Sequence, residues 1–305
     1  MSKNSISDFF STHVKKGERI LVTGATGWFG RTALMMLRDY SSSVLAVSSK
    51  SGILELPGFR VNTLVQNLDM ISEFSPTLVI DSAFVTRDRL NSLAVDDYIS
   101  INRSLIEQSV LMASLPSVKK YVGFSSGATK HLAGQGSFAL EANPYAALKK
   151  EYENQMTQMN STGDVAISIA RVWSVSGPFT TKPHLFAFSN LISQAKRGVI
   201  QIDSSGKVFR RYCGLENVLL VALAQGKQSG DPVFDTGGEL IEIGDLAEVI
   251  RKEINKDAVV MRKFNDWSDV DDYYSDGTQW ESLISKHGID FETIPSQIRR
   301  SIKFD

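Results

Sequence analysis

An α/β fold, with a doubly wound parallel sheet and a smaller lobe discontinuous in sequence, is what this chain of 305 residues predicts. Two observations carry the prediction. Short runs rich in Val, Ile and Leu alternate with segments whose apolar residues recur at helical spacing, and this rhythm changes from about Ser176. With 42% hydrophobic residues and no internal repeat or low-complexity tract, the chain has the material for a sheet covered by helices on both faces.

The elements follow in order. After a short N-terminal segment, expected as a surface helix, "RILVT" (19–23) reads as the first strand and "TALMMLRDY" as the helix after it. "SVLAV" (43–47), "RVNTLV" (60–65) and "TLVID" (77–81) are short buried strands, and "DDYISINRSLIEQSVLMASL" (96–115) is a long helix. "KKYVGFS" (119–125) returns to strand, and "PYAALKKEYENQMTQMN" (144–160) to helix, with Asn143 as N-cap and Pro144 as its first residue. "VAISIARV" (165–172) closes the series. Beyond it come a loop with two prolines, "SGPFTTKP", a helix in "HLFAFSNLISQAKRG", a strand in "GKVFRRYCG", and "LENVLLVALAQG", one more helix of the main body. The expected domains are therefore 1–175 plus 214–228, and 176–213 plus 229–305.

Thirty-three basic residues against 34 acidic ones leave a net charge of −1, and without a long Lys/Arg run a nucleic-acid partner is not expected. The single cysteine, Cys213, allows no internal disulfide, and His13, His131, His184 and His287 lack zinc-ligand spacing. The start is too polar for a signal peptide, and runs such as "VLLVALA" (218–224) are too short to span a bilayer. The expectation is a cytoplasmic, metal-free protein with no membrane partner.

Chemistry enters with "ILVTGATGWFG" (20–30), which sets Gly24, Gly27 and Gly30 where the first strand becomes a helix. Glycine there admits positive φ, lets a phosphate approach the backbone, and lets helix and strand pack closely, while the helix N-terminus attracts a pyrophosphate. The turn is a dinucleotide site in which Gly24, Thr26, Gly27, Trp28, Phe29 and Gly30 are the cofactor-binding candidates.

A second motif supports it. Tyr145 sits in the first turn of its helix with Lys149 one turn on, and no other tyrosine of the eight has a lysine at that spacing. An ammonium beside a phenol favours phenolate, so Tyr145 is expected to have a lowered pKa and to exchange a proton with a carbinol/ketone pair. Ser125 and Ser126 follow the preceding strand, where side chains face the cofactor.

Together these motifs resemble the extended short-chain dehydrogenase/reductase superfamily, in particular the NAD-dependent epimerase/dehydratase (nucleotide-sugar modifying) family. The resemblance covers nearly the whole chain and implies a Rossmann-type sheet. Aligned with the family's S-S-G-A-V-Y-G form, Ser126 takes the place of the hydroxyl that binds the reacting oxygen, making Ser126, Tyr145 and Lys149 the catalytic set. Lys149 would also hold the nicotinamide ribose. "TLVIDSAF" is similar to the fourth-strand segment that normally ends H-x-A-A, with Asp81 at the His position and Ala83 lining the cofactor; Asn67 and Leu68 occupy the adenine slot, and Asn102 that of a helix asparagine. "VFRRYCGLENV" is similar to V-R-D-F-I-Y-V-D-D-V, placing Arg210 as the grip on a substrate diphosphate, with Arg262 or Lys263 as a second contact. Ser174 stands where the epimerases have a substrate-binding asparagine, and Thr86 is a further substrate-binding candidate.

The second-strand end, "AVSSKSG", lacks the usual acid for a ribose hydroxyl. Ser48, Ser49 and Lys50 lean towards NADP, with NAD as the alternative. Gly127 and Ala128 replace the carboxylates that dehydratases of the family carry, and nothing brings His184 and Cys213 together as 3,5-epimerising reductases require. Hydride transfer at C4 of a nucleotide-linked sugar is the expectation, as 4-epimerase or 4-ketoreductase. A reductase of a non-sugar carbonyl and a catalytically silent dinucleotide sensor remain alternatives. The resemblance also implies a homodimer through the helices at 96–115 and 144–160.

Overall fold

The computed structural model describes residues 9, 12–14, 17–131, 139–227, 230–263 and 268–304. Most of the N-terminal segment expected as a surface helix lies outside them. The chain divides into two compact units, residues 1–171 with 219–234, and 172–218 with 235–305.

The first unit is built on β1 (Ile20–Thr23), β2 (Val44–Ser48), β3 (Gly52–Leu56), β4 (Phe59–Val65), β5 (Leu78–Asp81), β6 (Lys120–Ser126), β7 (Ala166–Val172) and β11 (Val233–Asp235), in the order β11-β7-β6-β5-β1-β2-β4-β3. The pairs β2/β4, β1/β2, β1/β5 and β5/β6 are parallel. Strand order reverses beside β1, so the carboxyl ends of β1 and β5 form the switch point at which sheets of this kind bind ligands. The predicted α/β sheet is thus present.

Burial explains the strands: β1 and β5 are buried at every residue, as a central parallel strand requires. Around them Leu21, Val79, Tyr98, Ile106, Leu148, Met156 and Ile169 share one core. The helices α1 (Trp28–Met36), α3 (Val95–Ala113) and α5 (Pro144–Thr162) match the predicted ones within a few residues. For α5 the cap is as expected: Asn143 accepts from the Ala146 amide at 3.3 Å, and Pro144 opens the helix.

Among the elements outside the sequence prediction are a strand and a helix of the first unit. β3 pairs antiparallel with β4 through a tight turn at Pro57–Gly58, with Gly58 at φ +83°. The short α2 (Leu68–Phe74) is capped by Asn67.

In the second unit β12 (Glu239–Glu242), β10 (Lys207–Gly214) and β14 (Val270–Asp271) form a sheet that β8 (Ser174–Ser176) joins through β10, and β9 (Val199–Ile202) pairs with β13 (Val259–Arg262). Phe188, Leu191, Leu246, Ile250 and Ile298, from α6 (Ala187–Lys196), α8 (Ile243–Ile254) and α10 (Ile294–Ser301), pack on it as a separate core. Among the described residues no helix is long and apolar enough to cross a membrane.

Candidate active site

The glycine turn has the form a pyrophosphate needs. β1 ends at Thr23, and Gly24 takes φ +60°. A Cβ on Gly24 would lie 2.7 Å from the Ser82 carbonyl, and one on Gly30 would lie 2.4 Å from the Gly24 oxygen. Gly27 is the N-cap of α1 and offers no side-chain cap, so the backbone of this turn faces whatever binds at the helix end. The turn therefore fits the pyrophosphate of a dinucleotide. Thr26 is exposed, Trp28 is buried, and Phe29 packs edge-on against Phe124 of β6 at 4.7 Å between ring centroids. Gly24→Ala meets both the left-handed backbone and the Ser82 carbonyl, and the expected result is roughly tenfold or greater loss of dinucleotide affinity, read by NAD(P)H fluorescence titration.

Ser126 at the end of β6 lies near the Tyr145 phenol in the first turn of α5 and holds its pKa down. Its neighbour Ser125 is turned the other way and donates to Glu153 at 2.6 Å. That separates the two serines, and it is Ser126 that meets the tyrosine. Tyr145 also lies against Phe84, centroids 5.9 Å apart.

Lys149 is buried one turn further on, donating to the Phe124 carbonyl at 2.8 Å and sitting 3.6 Å above the Phe84 ring. Burial pulls its pKa down to about 7, against the charges of Asp81 and Glu153, which raise it. Tyr145 departs from expectation: its pKa is raised by burial, opposed by Ser126 and by Arg87. The ammonium is drawn down to Phe124 and Phe84, and the cation that lowers the phenol is Arg87, an exposed residue that no motif marked.

Other predicted residues occupy the same edge. Ala83 donates its amide to Thr23 Oγ1 at 3.2 Å and to Asp81 Oδ1 at 3.1 Å. Asn102 is fully buried and clamps the loop after β5, accepting from the Val85 amide at 2.9 Å and donating to the Val85 and Tyr98 carbonyls. Thr86 donates to Asp88 at 2.5 Å at the start of a 3-10 turn. Ser48 donates to the Lys50 carbonyl at 2.6 Å, a local turn that leaves Ser49 and Lys50 exposed. Asn67 accepts from the Met70 amide at 3.1 Å, the cap of α2 that begins at Leu68. Capping and clamping by Asn67 and Asn102 are roles that motif alignment did not separate from ligand contact.

In the second unit, Arg210 forms a two-pronged ion pair with Asp271, at 3.0 and 2.6 Å, and faces the Tyr273 ring. Arg262 donates from all three guanidinium nitrogens, to Glu242, Ser204 and Gly206. Ser174 pairs with Tyr212 across β8 and β10. Cys213 is buried, and burial raises its thiol pKa far above the usual value.

No curated protein sequence matches the chain. Among solved structures, the UDP-N-acetylglucosamine 4-epimerase from Methanobrevibacter ruminantium M1, in complex with UDP-N-acetylmuramic acid, is similar with a TM-score of 0.72 and 18% identity, over 95% of this chain and 98% of that one. A GDP-mannoheptose C4 reductase from Campylobacter jejuni with NADP bound gives 0.73 and 15%, over 95% and 98%. An NAD-dependent NDP-hexosamine 5,6-dehydratase involved in tunicamycin biosynthesis gives 0.71 and 19%, over 94% and 97%. At these identities the likeness shows a shared fold. The sequence model of the NAD dependent epimerase/dehydratase family matches residues 20–231, more than half of the chain and the whole span from the glycine turn to β7, and the chain belongs to that family.

Proposed function

We propose that the protein transfers hydride at a ring carbon, C4, of a nucleotide-linked sugar, as a 4-ketoreductase or 4-epimerase. The buried Lys149 one helical turn after Tyr145, with Ser126 at the end of the neighbouring strand, carries this reading. When bound, the nicotinamide supplies or accepts the hydride. Tyr145 exchanges the hydroxyl proton, Ser126 steadies the same oxygen, and Lys149 holds the ribose below. A phenol whose pKa is raised stays protonated near neutrality, which suits donation to a carbonyl oxygen.

Elimination of water lacks an acid or base, because Gly127 and Ala128 follow Ser126. A buried thiol with a raised pKa makes Cys213 a poor acid or base for 3,5-epimerisation, and His184 is exposed. The fold is shared with a 4-epimerase, a C4 reductase and a 5,6-dehydratase, which supports nucleotide-sugar chemistry and leaves the choice of C4 to the residues of the site. Exposed Ser49 and Lys50 keep the lean towards NADP, with NAD the alternative.

The test is mass spectrometry of nucleotide released on denaturation, followed by assay of UDP- and GDP-linked 4-keto and 4-hydroxy sugars. Retained NAD or NADH favours the epimerase, and exchangeable NADP the reductase. Absence of dinucleotide binding and of turnover would overturn both.

Arg210 is the proposed diphosphate contact, while Arg262, with every nitrogen engaged in its own unit, is read as a structural tie. The closed Arg210–Asp271 pair also favours a second reading, a reductase of a non-sugar carbonyl with no diphosphate. Arg210→Ala separates them. Loss of one bidentate phosphate contact should raise KM about tenfold or more, with kcat little changed, for a nucleotide sugar; an unchanged KM would select the non-sugar reading.

A further inference from the structure

Asp81 ends β5 and is 5% exposed. Its Oδ1 accepts from the Thr23 hydroxyl and from the Ala83 amide, and its Oδ2 accepts from Ser109 Oγ at 2.5 Å and from the Tyr121 phenol. Every one of these donors is neutral. A carboxylate held this way is solvated by hydrogen bonds but not balanced by charge, an unfavourable state for a buried ion.

The same layer holds a second ion in the mirror condition. Lys149 is buried, and its contacts among the described residues are a carbonyl and two aromatic rings, Phe84 at 3.6 Å and Tyr152 at 5.6 Å, with no carboxylate of those residues in ion-pair contact. The two ions are linked. Tyr121, bonded to Asp81, lies 3.2 Å from the Tyr152 hydroxyl, oxygen to oxygen, and the Tyr152 ring is the one that faces Lys149. β6 makes room for the link at Gly123, where a Cβ would lie 1.8 Å from the Tyr152 oxygen.

We propose that Asp81 is the counter-charge of Lys149, a positioning residue that acts on the lysine from behind the Tyr121–Tyr152 hydroxyl pair. The role of Lys149 rests on the proposed hydride chemistry; the coupling itself does not. The charged groups that act on Lys149 are Asp81 from β5 and Glu153 from its own helix, and its ring neighbours are Phe84 and Tyr152. Glu153 is tied to Arg171 at 2.8 Å, and Arg87 acts on Tyr145. Of the two carboxylates that act on Lys149, Asp81 is the stronger.

The experiment is NMR titration of the unliganded protein labelled at lysine Cε and Nζ, with the Lys149 signal assigned by its loss in Lys149→Met. The wild-type signal should titrate near 7. Asp81→Asn should lower that midpoint by roughly one pH unit, while Ser109→Ala, which removes a hydrogen bond and keeps the charge, should leave it in place. An unchanged midpoint in Asp81→Asn, or an equal shift in Ser109→Ala, would overturn the proposal. If Asp81→Asn does not fold, the carboxyl carbon of Asp81 in the wild type decides: it must move at the Lys149 midpoint, and a flat signal there would refute the coupling. Failure of the hydride reading would show separately, as absent dinucleotide binding with these titrations intact.

Discussion

Tyr145→Phe lowers kcat on a confirmed nucleotide-sugar substrate by about 10²–10⁴-fold, the range for a positioned acid or base, and leaves dinucleotide affinity nearly unchanged. The ring is kept, and with it the edge contact to Phe84, so the fold of the site has no reason to alter. What is lost is the one proton that the mechanism moves. Ser126 loses its phenolic neighbour but still accepts from the Ala128 amide at 3.2 Å, which holds it in place. Because the missing interaction belongs to the transition state, kcat and kcat/KM should fall together. The pH profile gives a second check. In the reductive direction Tyr145 must be protonated, and a phenol pKa raised above 10.0 keeps it so through neutrality; activity controlled by this group should be flat there and fall only in alkali. Full activity in Tyr145→Phe would remove the tyrosine from the mechanism.

How much of this was legible in the sequence follows from the range of the interactions involved. The glycine turn is local: Gly24, Gly27 and Gly30 sit within one strand-helix junction, and a backbone angle at Gly24 is dictated by its neighbours. The α5 cap is local too, with Asn143 and Pro144 side by side. β3 escaped because Ile53 lies on its exposed face, 65% accessible, and its partner strand supplies the pairing that its own pattern does not announce. Asn67 and Asn102 were seen as motif positions, but spacing does not reveal whether an amide faces a ligand or a backbone. Only the fold turns them towards Met70 and Val85.

The electrostatics were the least legible part. The i,i+4 spacing of Tyr145 and Lys149 implied that one cation lowers one phenol, yet the lysine's other neighbours, Phe124 and Phe84, come from different strands and loops and draw it away. Arg87 replaces it in that role. Asp81 was visible only as a departure from a family pattern. Its partners at 23, 109 and 121 are too far apart in sequence for any motif to join.

Glu153→Gln is expected to destabilise the protein by about 3–5 kcal/mol, the usual effect of breaking a buried ion pair by removing one partner. Glu153 lies two turns after Tyr145, its side chain 1% exposed, and it accepts from Arg171 at 2.9 and 2.8 Å, from Ser125 at 2.6 Å and from Thr129 at 2.9 Å. One carboxylate thus ties α5, β6, β7 and the short helix after Ser126. Burial alone would raise its pKa, but Arg171 and the two hydroxyls outweigh that and hold it below 4.5. A carboxyl lowered on folding stabilises above its unfolded pKa and ceases to do so as pH falls through the folded one. The gap between wild type and Glu153→Gln in urea melts should therefore be full at neutrality and close in acid below about pH 4.5. Exchanging both partners, Glu153→Met with Arg171→Met, should recover most of the loss, since neither buried charge of the pair remains and Lys150, the other cation on Glu153 at 3.4 Å, is open to solvent. Ser125 and Thr129 flank Ser126, so the single variant should also lower kcat below the temperature at which it melts, as the hydroxyl that meets Tyr145 loses its anchored neighbours. A variant that melts early yet keeps the wild-type kcat would confine the pair to stability.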